Sequence, residues 1–130
     1  MDSTSILTTV KKMMGIPEDV EDFDPDVIVL INTVFSEVNQ MGIGPTKCYK
    51  ISSKDDKWED FDKRLDMEMF KTYIFMKTRM LFDPPANAQL TESYKATITE
   101  LEYRIHTLWD QWMNSDDEDI KAWADGNANN

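Results

Sequence analysis

Two side chains in this sequence are of types that carry out nucleophilic catalysis, the thiol of Cys48 and the imidazole of His106. A cysteine nucleophile needs a base within reach and a third group that orients the base. Cys48 falls in a predicted loop and His106 in a predicted helix, and neither has an orienting motif nearby. One cysteine and one histidine also cannot supply the four or so ligands of a structural zinc site. We therefore predict neither enzyme activity nor a bound cofactor.

Three aspartates, Asp22, Asp24 and Asp26, have the spacing of the first ligands of a calcium-binding loop. Such a loop needs glycine at its sixth position and glutamate at its twelfth, where this chain has Val27 and Thr33. Carboxylates at a helix start, beside the positive end of the helix dipole, account for Asp24 and Asp26 without a metal. We expect no metal site here.

Other polar clusters also fail as sites. The acidic run at 116–119 lacks a loop glycine and a distal glutamate, which is typical of a solvated segment. Gly42 and Gly44 precede a proline and not a helix start, so no phosphate-binding loop is predicted. Glu100 and Glu102 are two residues apart on a predicted helix, so they point to different faces and form no acid–base pair.

The strongly negative net charge of the chain limits which partners it can bind. A chain of 130 residues fits one domain, and its 14 basic and 25 acidic residues give a net charge of -11. This charge repels phosphate backbones and argues against affinity for nucleic acid. It favours a basic protein partner, or a surface that nucleic acid passes without binding.

The cysteine count and the apolar segments indicate the cellular compartment. The single cysteine excludes an intrachain disulfide and fits a reducing cytosol. The first residues lack the basic start and apolar run of a signal peptide, and charged residues interrupt the apolar stretch 65–82. We expect a protein that is neither exported nor embedded in a membrane.

The segment FKTYIFMKTRMLFDPP, residues 70–85, predicts the end of one helix and the turn into another. Asp83, Pro84 and Pro85 stop the first helix near Phe82, because proline lacks the N–H that a helix interior needs and disfavours helical geometry before it. The next apolar residues recur with helical spacing. They are Leu90, Tyr94, Ile98, Leu101, Ile105, Leu108 and Trp112. The two helices should form an αα-hairpin.

The remaining pattern predicts an all-α fold, a small helical bundle of four or five helices with a long C-terminal helix. A short first helix should follow an N-cap at Asp2 or Ser3. A second should have Asp24 as its N-cap and Pro25 as its first helical residue, and run to Met41. The signal over 44–56 is weak and fits either a short hairpin or an extended loop. The expected division is a helical domain over 1–114 and an acidic C-terminal tail over 115–130.

The last helix, predicted over 90–114, is longer than a domain of this size needs. We therefore expect its end, with Leu108, Trp109 and Trp112, to project from the core and meet a partner. A chain that ends at Arg104 should then still fold but no longer bind that partner.

Four segments in order, SILTTVKKMMGI, FDPDVIVLINTVFSEVNQMGIGP, WEDF and FKTYIFMKTRMLFDPP, resemble the small head-tail connector, or adaptor, proteins of tailed bacteriophages. The resemblance runs from about residue 5 to about residue 112. It implies a structural virion protein, a helical subunit that forms a ring, commonly of twelve copies, between the portal and the tail. Such a ring extends the DNA channel and provides the tail-docking surface, and DNA passes through it without sequence-specific binding. The resemblance also implies that the protein lies in the host cytoplasm during assembly and at the head-tail junction of the finished virion.

Within that resemblance, we expect apolar anchors for the portal or a neighbouring subunit, since tryptophan supplies large rigid contact area at interfaces. The candidate residues are Leu108, Trp109, Trp112, Ile120 and Trp123. The alternative interpretation is a small acidic helical regulator, or nucleic-acid mimic, that binds a basic protein. That function needs carboxylates arrayed on one continuous face, whereas this chain has acidic clusters towards both ends and a near-neutral middle.

Overall fold

The computed structural model describes residues 5–45, 47–61 and 67–114, with Met67 and Trp112 described by their backbone alone. These residues contain five α-helices, which confirms the predicted all-α bundle. They are α1 (Ile6–Met13), α2 (Asp24–Gln40), α3 (Trp58–Phe61), α4 (Met67–Phe82) and α5 (Ala88–Met113). The helix α4 is central, because α1, α2 and α5 all pack against it.

The first two helices each begin close to, but not at, the residue that the sequence predicted. Ser5 is the N-cap of α1, with its Oγ accepting a hydrogen bond from the Thr8 N–H at 3.2 Å. The prediction of Asp2 or Ser3 as the cap was therefore wrong by two or three residues. The sequence predicted Asp24 as the N-cap of α2 and Pro25 as its first helical residue, whereas the helix begins one residue earlier, at Asp24, with Phe23 as an N-cap that makes no side-chain hydrogen bond. Pro25 lies in the first turn, where its missing N–H leaves no intrahelical bond unmade.

The segment 47–57 is an extended loop, which settles the choice that the sequence left open. The side chain of Asn32 takes the place of a partner strand: its Nδ2 donates to the Ile51 carbonyl at 2.9 Å, and its Oδ1 accepts from the Ile51 N–H at 2.7 Å. An isolated antiparallel bridge joins Lys57 to Ser5. The loop is thus fastened both to the middle of α2 and to the start of α1.

Aromatic side chains fill the core beneath this loop. Phe61 stacks on Phe70 with 4.9 Å between ring centroids, and Phe35 lies 5.2 Å from Phe61. Tyr49 meets Phe61 edge to face at 5.5 Å. Gly44 completes this packing: its φ is +88°, and a Cβ there would lie 2.5 Å from Cζ of Phe61. Burial of this kind is the main stabilising term of a domain this small.

The turn between α4 and α5 falls where the prolines predict it. The helix α4 ends at Phe82, and the Asp83 N–H still donates to the Arg79 carbonyl at 2.8 Å before the two prolines divert the chain. Asn87 then caps α5, with its Oδ1 accepting from the N–H groups of Gln89 at 2.8 Å and Leu90 at 3.1 Å. Because of this cap, α5 begins two residues before the predicted Leu90.

The predicted stripe on α5 is confirmed in its central part, where Ile98 and Ile105 are buried against the core. Its ends differ from the pattern. Leu90 is 43% exposed, and at the other end the buried residue is Trp109 while Leu108 is only half-buried. At 3.6 residues per turn, the next residue on the buried face after Ile105 can be either Leu108 or Trp109. The sequence alone does not show which of these two side chains is buried.

Charged groups join three helices on one side of the bundle. The ammonium of Lys77 on α4 lies 2.5 Å from a carboxylate oxygen of Glu37 on α2 and 4.0 Å from one of Glu102 on α5. The hydroxyl of Tyr73 lies beneath this group. Burial raises the pKa of Tyr73 well above its usual range, and Glu102 and Glu37 add to the effect. The hydroxyl, which is protonated at neutral pH in any tyrosine, therefore stays protonated well into the alkaline range.

Candidate assembly surfaces

The two residue types suited to nucleophilic chemistry each have a local partner. The thiol of Cys48 is half-buried in the extended loop, 3.7 Å from the carbonyl oxygen of Tyr49. His106 lies on the exposed face of α5 with its Nδ1 3.1 Å from Oδ2 of Asp110, one turn further on. An i,i+4 pair of this kind is a common surface contact. Among the described residues, no hydrogen bond joins His106 to Cys48.

One of the three aspartates at the start of α2, Asp24, has a structural contact. Asp24 lies 2.7 Å from the ammonium of Lys11, whose side chain is only 3% exposed. This contact is an ion pair without a hydrogen bond, because no described donor meets Oδ1 of Asp24 with hydrogen-bond geometry. Across residues 5–45, 47–61 and 67–114, no three histidine, cysteine or acidic side chains converge as metal ligands. Within the same ranges no helix is both long enough and apolar enough to cross a bilayer.

The predicted anchor residues on α5 are only partly in the positions expected. Leu108 is half-buried and lines a surface groove. Trp109 is 4% exposed and belongs to the core, so the prediction that it projects from the fold was wrong. The predicted roles of Trp112, Ile120 and Trp123 rest on side chains outside the described residues.

An apolar surface lies at the turn between α4 and α5. We call it the end patch and define it by four residues: Phe23 before α2, Leu81 and Phe82 at the end of α4, and Leu90 in the first turn of α5. Phe23 and Phe82 meet edge to face, with 5.7 Å between ring centroids. Phe23 is 45% exposed and Leu81 48% exposed, so much of this apolar area remains in contact with solvent.

A second apolar surface lies towards the other end of the same hairpin. A groove of about 600 Å³ runs between α4 and α5, and we call it the hairpin groove. Its lining residues are Met69, Glu100, Tyr103, Arg104, Thr107 and Leu108. Tyr103 stands at its edge and is 73% exposed, while the guanidinium of Arg104 is 2.7 Å from a carboxylate oxygen of Glu100.

The surroundings of the two surfaces differ in charge. Exposed carboxylates flank the end patch at Glu18, Asp19, Glu21, Asp22, Asp26 and Asp83. The extended loop and the residues after it carry exposed lysines at Lys47, Lys50 and Lys54 and exposed carboxylates at Asp55, Glu59, Asp60 and Glu68, so this end is near neutral. This loop lies at the same end of α4 as the hairpin groove, because Tyr49 packs on Phe61, and Phe61 stacks on Phe70 beside Met69. Sequence reasoning found the acidic segment and the near-neutral one, but not their placement at opposite ends of α4.

The described residues form a closed helical core with exposed apolar side chains towards both ends of the α4–α5 hairpin, which places the chain among small all-α proteins. Comparison with known families makes this specific. A family model described as phage connector protein matches residues 6–111. The chain belongs to that phage connector family, as the resemblance in the sequence predicted. Neither the curated proteins nor the solved structures give a significant match.

Proposed function

We propose that this protein forms a ring between the portal and the tail of a tailed bacteriophage. There it extends the DNA channel and provides the surface on which the tail docks. The observation that carries the proposal is membership of the phage connector family over residues 6–111. The protein acts through shape and contact surfaces, and its location is the head-tail junction of the virion.

The charge of the chain supports a role beside DNA. A net charge of -11 on each subunit, repeated around a ring of about twelve copies, would surround the channel with carboxylates. Like charges repel the phosphate backbone, so the genome would pass without adhering. This is the property that a conduit needs.

The portal contact is assigned to the C-terminal end of α5 and the residues that follow it. Leu108 presents part of its side chain in the hairpin groove, and Trp112 follows it by one turn on the same helix. Ile120 and Trp123 would add apolar anchors from the tail. Trp109 is excluded from this contact by its burial, and its role is to fix the end of α5 to the core.

Binding to the portal protein of the same phage tests the proposal. We expect the full-length chain to cosediment with assembled portal, with several copies bound to each portal ring. A chain ending at Asn114 keeps all five helices and loses Ile120 and Trp123, so we expect it to fold normally and to bind about tenfold more weakly.

The matched control is the substitution of Asn127, Asn129 and Asn130 by serine, which alters the tail without removing apolar residues. Equal binding by the truncated and full-length chains would remove the tail from the portal contact. No binding by the full-length chain, together with salt-sensitive binding to a basic host or phage protein, would instead favour an acidic regulator.

A further inference from the structure

The end patch combines exposed apolar side chains with an acidic segment of the chain. Phe23, Leu81 and Leu90 are 45%, 48% and 43% exposed, and Phe23 meets Phe82 edge to face. Phe23 also lies within residues 18–26, which hold six acidic residues and no basic one. Carboxylates therefore border the apolar area directly.

The acidic segment is fastened to α1 by the buried Lys11. The Lys11 Nζ donates to the carbonyls of Glu18 at 3.3 Å and Val20 at 2.7 Å, and it lies 2.7 Å from Oδ1 of Asp24. The charge of Asp24 is thus met within the chain, whereas the other carboxylates of the segment face solvent. These are Glu18, Asp19, Glu21, Asp22 and Asp26.

The cations at this end of the bundle only partly offset these carboxylates. Residues 11–26 and 79–95 together hold eight acidic and four basic residues. Two of the four have partners besides the acidic segment: Arg79 donates to the Tyr94 hydroxyl at 2.5 Å, and Lys95 lies 3.7 Å from Glu92. By contrast, residues 47–60 at the other end hold four acidic and four basic residues. The end patch is therefore the apolar surface with an acidic border.

This combination of charge and area indicates which occupant fits the patch. A second end patch would bring up the same carboxylates, and the acidic run 116–119 of the tail would also be repelled. Phosphate backbones are excluded for the same reason. Three partly exposed side chains also offer well below the ~800 Å² per partner of a standard interface, so a short segment fits better than a globular face.

We propose that the end patch binds a short segment of another protein in which apolar side chains lie between lysines or arginines. The apolar side chains of that segment contact Phe23, Leu81 and Leu90, and its cations face the carboxylates of residues 18–26. Leu90 and Leu108 are about 27 Å apart along α5 at 1.5 Å per residue. The contact is thus separate from the proposed portal contact, and one chain can hold both partners at once.

Fluorescence anisotropy with the full-length chain tests the apolar part of this contact. The probe is a labelled peptide with leucine and tryptophan placed between lysines, and its control has glycine in place of those two residues. We expect the control peptide to bind about tenfold more weakly. The double variant Leu81→Ser and Leu90→Ser should lose about tenfold in affinity for the probe. The matched variant Tyr103→Ser and Met113→Ser removes exposed apolar groups far from the patch and should lose less than about twofold.

A second pair of variants separates the acidic border from the net charge of the chain. We expect Glu21→Gln with Asp22→Asn to weaken binding of the probe about tenfold. Asp55→Asn with Glu59→Gln changes the net charge equally at the other end and should weaken it less than about twofold. Equal losses from the two pairs, with unchanged circular dichroism, would show attraction by net charge alone and overturn the inference.

Photo-cross-linking locates the bound peptide. With p-benzoylphenylalanine in place of its tryptophan, we expect attachment within residues 18–26 or 81–90. Attachment within residues 100–108 would overturn the inference, and so would a dimer of the free chain in sedimentation that the Leu81→Ser and Leu90→Ser changes abolish. Neither experiment contains portal, so their failure leaves the proposed function standing, and a failure of portal binding leaves this inference standing.

Discussion

Replacing Lys11 by methionine is expected to lower the free energy of unfolding by about 3 kcal/mol. The Lys11 side chain is 3% exposed, and its Nζ lies 2.7 Å from Oδ1 of Asp24. The same Nζ donates to the carbonyls of Val20 at 2.7 Å and Glu18 at 3.3 Å. Methionine has similar length but no charge, so it would leave Asp24 and two carbonyls without their partner. The lower end of the range for buried pairs applies, because the Asp24 side chain is 23% exposed.

The neighbouring Lys12 is the matched control, since it is exposed and takes no part in this cluster. Lys12→Met should change stability by less than about 0.5 kcal/mol. Urea denaturation of the two variants measures both values. Equal small losses would show that Lys11 does not hold the segment 18–24.

Replacing Trp109 by alanine is expected to cost about 3–5 kcal/mol of stability, which is a large part of what a domain of this size has. The indole is 4% exposed and belongs to the same core cluster as Ile105 and Ile98. The substitution leaves a cavity near the end of α5 that the surrounding side chains can fill only in part. We expect a lower midpoint in thermal and urea unfolding, and fraying of the last turns of α5 in hydrogen exchange.

Tyr103→Ala provides the comparison on the same helix, because Tyr103 is 73% exposed. Its loss should leave stability within about 0.5 kcal/mol of the parent chain and act on assembly alone. A small effect at Trp109 would restore the original prediction of a projecting anchor. The burial of Ile105 and Trp109 also revises the expectation that a chain ending at Arg104 folds, since it would lack two core side chains.

Local rules predicted most of the helical framework. Proline geometry placed the end of α4 at Phe82, and the Asp24–Pro25 pair placed the start of α2 to within one residue. These features depend on neighbouring residues, so a single sequence is enough to read them. The family resemblance was also visible in the order of four separated segments, and it is confirmed.

Features that depend on long-range contacts could not be predicted in this way. Asn32 fastens Ile51, which is 19 residues away, and a lone asparagine within a helix gives no sign of that partner. In the sequence, Lys11 is a positive charge near the C-terminal end of a predicted helix. In the fold its side chain is buried and contacts Asp24 and two backbone carbonyls. Trp109 and Leu108 point about 100° apart around α5. Which of them is buried depends on the helices that pack against α5, and the spacing in the sequence does not show this.

The central claim is that this protein connects heads to tails, and electron microscopy of particles assembled without it is the most direct test. A phage carrying an early stop codon in this coding sequence should produce DNA-filled heads without tails, and a plasmid copy of the intact chain should restore tailed particles. Mass spectrometry should find the protein in purified wild-type virions. Normal tailed particles from the mutant, with the protein absent from wild-type virions, would contradict the account.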